Sequence, residues 1–296
     1  MNSNTKGILN GIIASTSYGM NPLFALPLYS IGIGVNSVLF YRYFLAVIIY
    51  FLWLKFFKKT SLKISQQEIV PLFFLGIFFS LSSLTLFEAF NYIEAGIACT
   101  ILFIYPVIVA IIMAIFFKEK ITKTVIFAIL LTSIGIVLLY KGKPDTTLSI
   151  KGILIVLSSA FLYALYIVGV KNIKPVKKMS SARLSFYVML FGLIVYIVNL
   201  KFCTSLQTLP NLKSWLLAIG LALFPTIISL ETITIAIQLI GSTNTAILGA
   251  LEPLTAIFFG ILFFHEQLTL RISIGIILIL FGVFLIISRK MKICKI

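Results

Sequence analysis

The sequence predicts an all-α integral membrane protein of ten transmembrane helices, arranged as two inverted five-helix repeats with both termini cytoplasmic. Three observations carry this expectation. Of 296 residues, 60% are hydrophobic and 11% charged, and the mean hydropathy of +1.15 lies far outside the range of soluble domains. Charged and turn-forming clusters cut the chain into ten apolar segments, most of which approach the ~20 residues that a helix needs to cross a hydrocarbon core of ~30 Å. Residues 95–122, "AGIACTILFIYPVIVAIIMAIFFKEKIT", also align without a gap on 242–269, "STNTAILGALEPLTAIFFGILFFHEQLT", at an offset of 147.

In chain order the segments are 7–29, 36–54, 70–91, 96–117, 123–140, 150–170, 183–199, 213–238, 243–264 and 270–288. Their length favours helices over barrel strands, which give a weaker, alternating pattern. Before the first segment only Lys6 is charged, and no small-residue cleavage site follows a short core, so an uncleaved first helix is expected. Orientation follows from the basic residues. With the N-terminus inside, the cytoplasmic side receives Lys6; Lys55, Lys58, Lys59 and Lys63; Lys118, Lys120 and Lys123; Lys171, Lys174, Lys177, Lys178 and Arg183; and Arg289, Lys290, Lys292 and Lys295. These are 17 of the 24 basic residues. Such a bias supports an even number of crossings with both termini inside.

The formal charge of +16 would suggest nucleic acid in a soluble protein. Here the basic residues lie mainly between apolar runs and read as topology signals, so the expected partners are the lipid bilayer and a small-molecule substrate, not nucleic acid. Cys99, Cys203 and Cys294 are far apart and lack paired spacing, which argues against a disulfide framework or a zinc site. No cofactor is expected.

The repeat reaches further than its best-aligned stretch. Pro106 falls on Pro253, Phe117 on Phe264, Glu119 on Glu266, Thr122 on Thr269, Ala128 on Gly275 and Gly135 on Gly282; at an offset of 145, Gly7 falls on Gly152 and Tyr18 on Tyr163. The chain therefore divides into repeats 1–145 and 146–296. Five helices per repeat is an odd number, so the second repeat enters the membrane from the opposite side. Inverted halves can exchange conformations and open a central site to either face, the architecture of many secondary transporters. The alternative is that duplication is only a route to a stable bundle.

The stretch 236–269, "AIQLIGSTNTAILGALEPLTAIFFGILFFHEQLT", followed by "IGIILILFGV", resembles the second-repeat signature of the EamA-type members of the drug/metabolite transporter superfamily. "AFNYIEAGIACTILFIYPVIVAIIMAIFFKEKIT" resembles the corresponding stretch of the first repeat, and the likeness covers nearly the whole chain. In "SYGMN", Gly19 and Asn21 fit the family pattern, whereas Tyr18 stands where members often have Trp. The resemblance implies a ten-helix inner-membrane carrier with a central cavity, usually exporting amino acids or other small metabolites.

Several residues could carry transport chemistry. Glu252 lies mid-segment, where a charge facing lipid would cost several kcal/mol, so it is expected to face the bundle interior. There it could take up and release a proton, or remain protonated and only fix packing. Pro253 and Pro106 lack an N–H and crowd the carbonyls of Gly249 and Leu102, so a bend or break suited to gating is expected at both. Freed carbonyls at membrane depth are tolerated only against protein or a watery cavity. Arg42 could grip a substrate carboxylate through its planar fork, or snorkel to nearby headgroups. Glu231 is a second candidate titrating group. Tyr18 and Asn21 in the first segment, with Tyr163 and Tyr166 in the sixth, offer an aromatic and polar pocket lining or inter-helix hydrogen bonds. Glu88 and Glu94 read as solvated ends, Glu119 and Glu266 as turn and capping residues. Gly7, Gly11, Ser15 and Gly19, echoed by Gly152, Val156, Ala160 and Ala164, read as a close-packing face.

An enzyme is not expected. "HEQLT" around His265 has Thr269 where a zinc-binding motif needs its second His, and no nucleophile elbow is present. The reading is a secondary-active, alternating-access carrier, monomeric or homodimeric, that exports a small polar or zwitterionic metabolite such as an amino acid, with possible proton coupling. An uptake carrier or a channel-like facilitator is the alternative.

Overall fold

A computed structural model describes residues 2–93, 95–139, 149–264 and 270–293. Among them the chain is helical with no strand. The first segment is two helices, α1 (Ser3–Tyr18) and α2 (Asn21–Ser30). The second is α3 (Val35–Leu52), which runs into a π-helical turn at Trp53–Phe57. Then follow α4 (Gln66–Ala89), α5 (Ala95–Leu102), α6 (Tyr105–Phe117) and α7 (Lys123–Leu139). The second half holds α8 (Ile150–Asn172), the short α9 (Lys174–Lys177), α10 (Ser181–Asn199) and α11 (Leu212–Ala222). A π-helical stretch at Leu223–Ile228 joins α11 to α12 (Ser229–Ile240), and α13 (Ser242–Leu248), α14 (Leu251–Phe264) and α15 (Leu270–Ile293) complete the chain.

Local sequence explains where these helices start and stop. Ser65 and Glu68 form a capping box at α4, satisfying first-turn N–H groups that would otherwise be orphaned in a poor solvent. Pro22, Pro106 and Pro253 all fall in the first turn of their helices, where a missing N–H removes no intrahelical bond. The expected breaks at Pro106 and Pro253 are therefore present one turn upstream, at Phe103–Ile104 and Gly249–Ala250. The first segment breaks as well, at Gly19–Met20, which sequence reading did not anticipate. At the ninth-segment break the Gly249 carbonyl is not left free: it accepts from the Glu252 N–H at 2.9 Å.

Five helical stretches are long and apolar enough to cross a membrane: Val35–Phe57, Gln66–Ala89, Ile150–Asn172, Ser181–Asn199 and Leu212–Ile240. Shorter apolar stretches lie in α6, α7 and α15. Large apolar side chains such as Ile115, Phe116, Leu130, Ile277 and Phe281 stand exposed around the outside, a surface that water would not tolerate and lipid would.

Packing occurs in exchanged pairs. α1 packs along α12 and α4 along α8; α6 meets α8 and α14 meets α1; α7 packs along α15. Single glycines show the same exchange. A Cβ on Gly7 would meet Ile240 at 2.6 Å, and one on its counterpart Gly152 would meet Ile93 at 2.7 Å. One on Gly135 would meet the Gly275 carbonyl at 2.8 Å, and one on Gly282 the Ala128 carbonyl at 3.1 Å. Because Ala128 aligns with Gly275 and Gly135 with Gly282, these two contacts are copies of each other, as contacts across a twofold relation must be. The small-residue face is a packing face: Gly7, Gly11 and Ser15 on α1, like Gly152, Val156, Ala160 and Ala164 on α8, are buried.

Buried hydroxyls join the helices. Ser82 and Ser159 each donate to the other's carbonyl, at 3.0 and 2.7 Å. Ser229 donates to the Ala14 carbonyl, and Tyr196 to that of Ser80. In a medium without water such bonds replace hydrophobic association as inter-helix glue.

Candidate functional site

The three broken segments meet at one place. Tyr18, Gly19, Asn21 and Pro22 from the first break, Leu102, Phe103 and Tyr105 from the second, and Glu252 and Pro253 from the third surround a cavity closed on its remaining side by Leu86, Phe87 and Phe90 of the α4 end and by Cys99. The cavity is small, about 40 Å³. That is room for about three water molecules.

Helix breaks make such a site by leaving backbone groups and short polar side chains at membrane depth without an intrahelical partner. At the first break both amide atoms of Asn21 are buried with no hydrogen-bond partner. At the third, Glu252 is 8% exposed, and its carboxyl accepts from the Tyr105 hydroxyl. Tyr105 is the residue that aligns with Glu252 across the repeats, so the two counterparts touch. The same hydroxyl lies against Gly249, where any Cβ would collide with it. Likewise, a Cβ on Gly19 would collide with the Glu252 carbonyl, which makes both glycines obligatory for this approach. The other aligned pair, Tyr18 and Tyr163, stacks at 6.2 Å between ring centroids, and Tyr105 meets Tyr163 edge-on at 4.8 Å.

Arg42 does not snorkel. It is fully buried (0% exposed), and it is held by a device at the π-helical stretch of the eighth segment. Pro225 has no N–H to give the Leu221 carbonyl, so the Thr226 hydroxyl donates to that carbonyl instead, at 2.8 Å. The Thr226 oxygen then accepts Arg42 Nε at 2.6 Å, and the Pro225 carbonyl accepts Nη2 at 3.0 Å. Nη1 has no partner. The guanidinium lies 5.8, 5.7 and 5.8 Å from the ring centroids of Tyr18, Tyr43 and Phe87, within cation–π reach. Tyr18 and Phe87 are also cavity walls, and Tyr18 is within electrostatic reach of both Arg42 and Glu252.

Other expected site residues lie elsewhere. Glu231 is not in the cavity: Lys58, at the end of the π-helical turn that follows α3, pairs with it at 2.7 Å near the lysine-rich end. Tyr163 and Tyr166 form the layer behind the cavity wall, with the Tyr166 hydroxyl 3.3 Å from Thr234. Glu119 accepts from Thr243 at 3.4 Å, joining the α6 end to α13. Glu94, His265, Glu266 and Cys294 lie outside the described residues. Sequence reading missed Phe87, Phe90 and Cys99 as wall residues and Thr226 as the Arg42 anchor. Only the alignment of Tyr105 with Glu252 offered a signal for a further wall residue.

The two ends of the bundle differ. At one end a vestibule of about 670 Å³ is lined by Tyr29, Asn36, Glu88, Phe90, Asn91 and Gln207, among others. Gln207 ties its rim across the halves, accepting from the Gly34 N–H and donating to the Gly32 carbonyl. At the lysine-rich end, polar contacts cross between segments: Arg183 with Glu68 (3.2 Å) and the Lys63 carbonyl (2.9 Å), and Lys171 with the Gln238 carbonyl (2.9 Å).

Fold and site together define a multi-pass membrane protein of broken, duplicated helices that meet around a small cavity. A family model of the EamA-like transporter family matches residues 5–141 and again 150–288. The chain belongs to that family. Its relatives include an uncharacterized transporter of Archaeoglobus fulgidus, 29% identical over 212 residues, 71% of this chain and 73% of that protein. The uncharacterized transporter YdfC of Bacillus subtilis is 23% identical over 78% of this chain and 75% of its own. A crystal structure with 15% sequence identity superposes with a TM-score of 0.79 over 98% of this chain and 99% of that one, which shows a shared fold.

Proposed function

We propose that this protein is an alternating-access carrier for a small zwitterionic metabolite of the amino-acid type, held between Arg42 and Glu252. One observation carries the reading: a small cavity at the meeting point of three helix breaks has a buried carboxyl on one wall, a buried guanidinium with a free N–H behind another, and the unpartnered amide of Asn21 on a third. A carboxylate complements the guanidinium, an ammonium complements Glu252, and the surrounding aromatic rings accept either a cation or an apolar side chain.

Pro106 and Pro253 are the gating positions. Each lies in the first turn after a break, where the missing proline N–H leaves one tie fewer to the preceding half-helix. Tyr163 and Tyr166 brace the wall from behind. The closed gate is read at the lysine-rich end, which the positive-inside tendency assigns to the cytoplasm; the ion pairs Arg183–Glu68 and Lys58–Glu231 between the halves support that reading. The vestibule then faces outward, and both termini lie inside. Export is the direction implied by the family likeness. Glu252 is the group that would couple transport to protons.

The test is a thermal-shift screen of purified protein against amino acids and related metabolites, since any ligand that favours the folded state raises apparent stability. At a hundredfold excess over Kd the stabilisation is about 2.7 kcal/mol, which is readily read. At least one zwitterionic compound is expected to shift the wild-type transition; a panel that shifts nothing would count against the reading.

A further inference from the structure

Phe87 occupies a position that the carrier reading leaves unexplained. Its ring is 1% exposed and stands at the junction of three features. It forms part of the cavity wall. It packs edge-on against Tyr29 at 6.3 Å and against Phe90 at 5.6 Å, both of which line the vestibule. And it lies 5.8 Å from the Arg42 guanidinium, whose Nη1 is the one donor of that group with no oxygen to meet.

A buried guanidinium without a carboxylate needs compensation. Two of its nitrogens are satisfied by Thr226 and Pro225, and the rest of its field falls on aromatic faces. An aromatic face is a weaker partner for a cation than a carboxylate, which offers two charged acceptors to the planar fork. It also costs little to exchange. The ring that stands between the cavity and two vestibule residues, Tyr29 and Phe90, thus also covers the charge that an incoming carboxylate would seek.

We propose that Phe87 is the gate between vestibule and cavity, and that its ring stands in over Arg42 for the substrate carboxylate, which displaces it on entry. This rests on the reading of Arg42 as the carboxylate holder. A solute without a carboxylate has nothing to offer Arg42 in exchange for the ring, so Phe87 selects for anionic ends before the substrate reaches Asn21 or Glu252. Tyr29 supports the arrangement: its hydroxyl is buried without a partner beside the same ring, a polar group positioned to meet the carboxylate as it passes.

Butane-2,3-dione, a small reagent that modifies guanidinium groups, reads the gate directly. It is applied to purified full-length protein in detergent, and adducts at Arg42 and Arg183 are quantified by peptide mass spectrometry. Phe87→Ala is expected to raise the Arg42 rate by about tenfold, the order of one lost cation–π cover. Phe87→Tyr keeps the ring and should react like wild type, and Arg183, on the far end of the bundle, should react alike in all three. In the Phe87→Ala protein, millimolar L-alanine should slow modification of Arg42 while ethylamine does not. Equal Arg42 rates in wild type and Phe87→Ala overturn the gate. Faster modification that L-alanine fails to slow overturns the carboxylate reading, and with it the displacement of the ring by substrate. If the alanine protein is unstable, Phe87→Leu keeps apolar bulk without the π face: a faster Arg42 with an unchanged Arg183 supports the proposal, and equal rates overturn it.

Discussion

At the scale of single residues, the two ionisable groups of the proposed site were unequally visible. Glu252 is anomalous in its own apolar run, and a carboxyl there has few places to go except the bundle interior, where it is found at 8% exposure. Arg42 stands near a segment end, where a long side chain can reach headgroups or turn inward with equal ease. What decides the matter lies 184 residues away, in the hydroxyl of Thr226 and the carbonyl of Pro225, a partnership that no local pattern reveals. Glu231 shows the converse: in the sequence it looks like Glu252, but Lys58 pairs with it at 2.7 Å. For Glu252 the expected outcome is specific. Glu252→Gln keeps the shape and the contact with Tyr105 but cannot ionise, so in proteoliposomes it should transport with a rate that no longer depends on pH. Full retention of pH-dependent transport would remove Glu252 from any proton coupling.

Helices and their breaks form the next scale. All ten apolar segments are helical within a few residues of their expected bounds, and five of the helical stretches are long and apolar enough to cross a membrane. The breaks were harder. Two were signalled by Pro106 and Pro253; at Gly19–Met20 the equivalent signal, Pro22, was passed over, and glycine in an apolar run signals close packing as readily as a bend. Both roles hold at Gly19, where a Cβ would collide with the Glu252 carbonyl. The π-helical stretch at Leu223–Ile228 went unread because its cause is a hydrogen-bond substitution by Thr226. The ninth-segment break gives a sharp expectation. Gly249→Ala puts a methyl group where the Tyr105 hydroxyl lies, and overpacking of that kind costs about 1–3 kcal/mol. The unfolding temperature should fall, and adding Tyr105→Phe should restore part of the loss, since the hydroxyl is the nearest clash. Additive losses in the double variant would mean that the contact is not as described.

Taken whole, the molecule is organised by its duplication. Aligned residues meet their own counterparts, Tyr18 with Tyr163 and Tyr105 with Glu252, and the glycine contacts of α7 with α15 are exchanged copies. The centre is where the symmetry fails: one half offers a tyrosine, the other a carboxyl, and Arg42 has no basic counterpart. A scaffold that is nearly twofold with a site that is not can hold its outward- and inward-facing states at different energies, while the gradients set the direction of net flow. Orientation can be checked with a natural probe. Cys203 is exposed at the vestibule end and free, so a membrane-impermeant maleimide applied to intact cells should label it; labelling only after lysis would reverse the assignment of faces. The most direct test of the central claim is counterflow in proteoliposomes, using the amino acid that gives the largest thermal shift. A carrier with its substrate between Arg42 and Glu252 should take up labelled solute faster when the same solute is loaded inside, and Arg42→Ala should abolish that stimulation. Uptake indifferent to the internal load, in a wild-type protein that binds the solute, would identify an open pore and contradict the account.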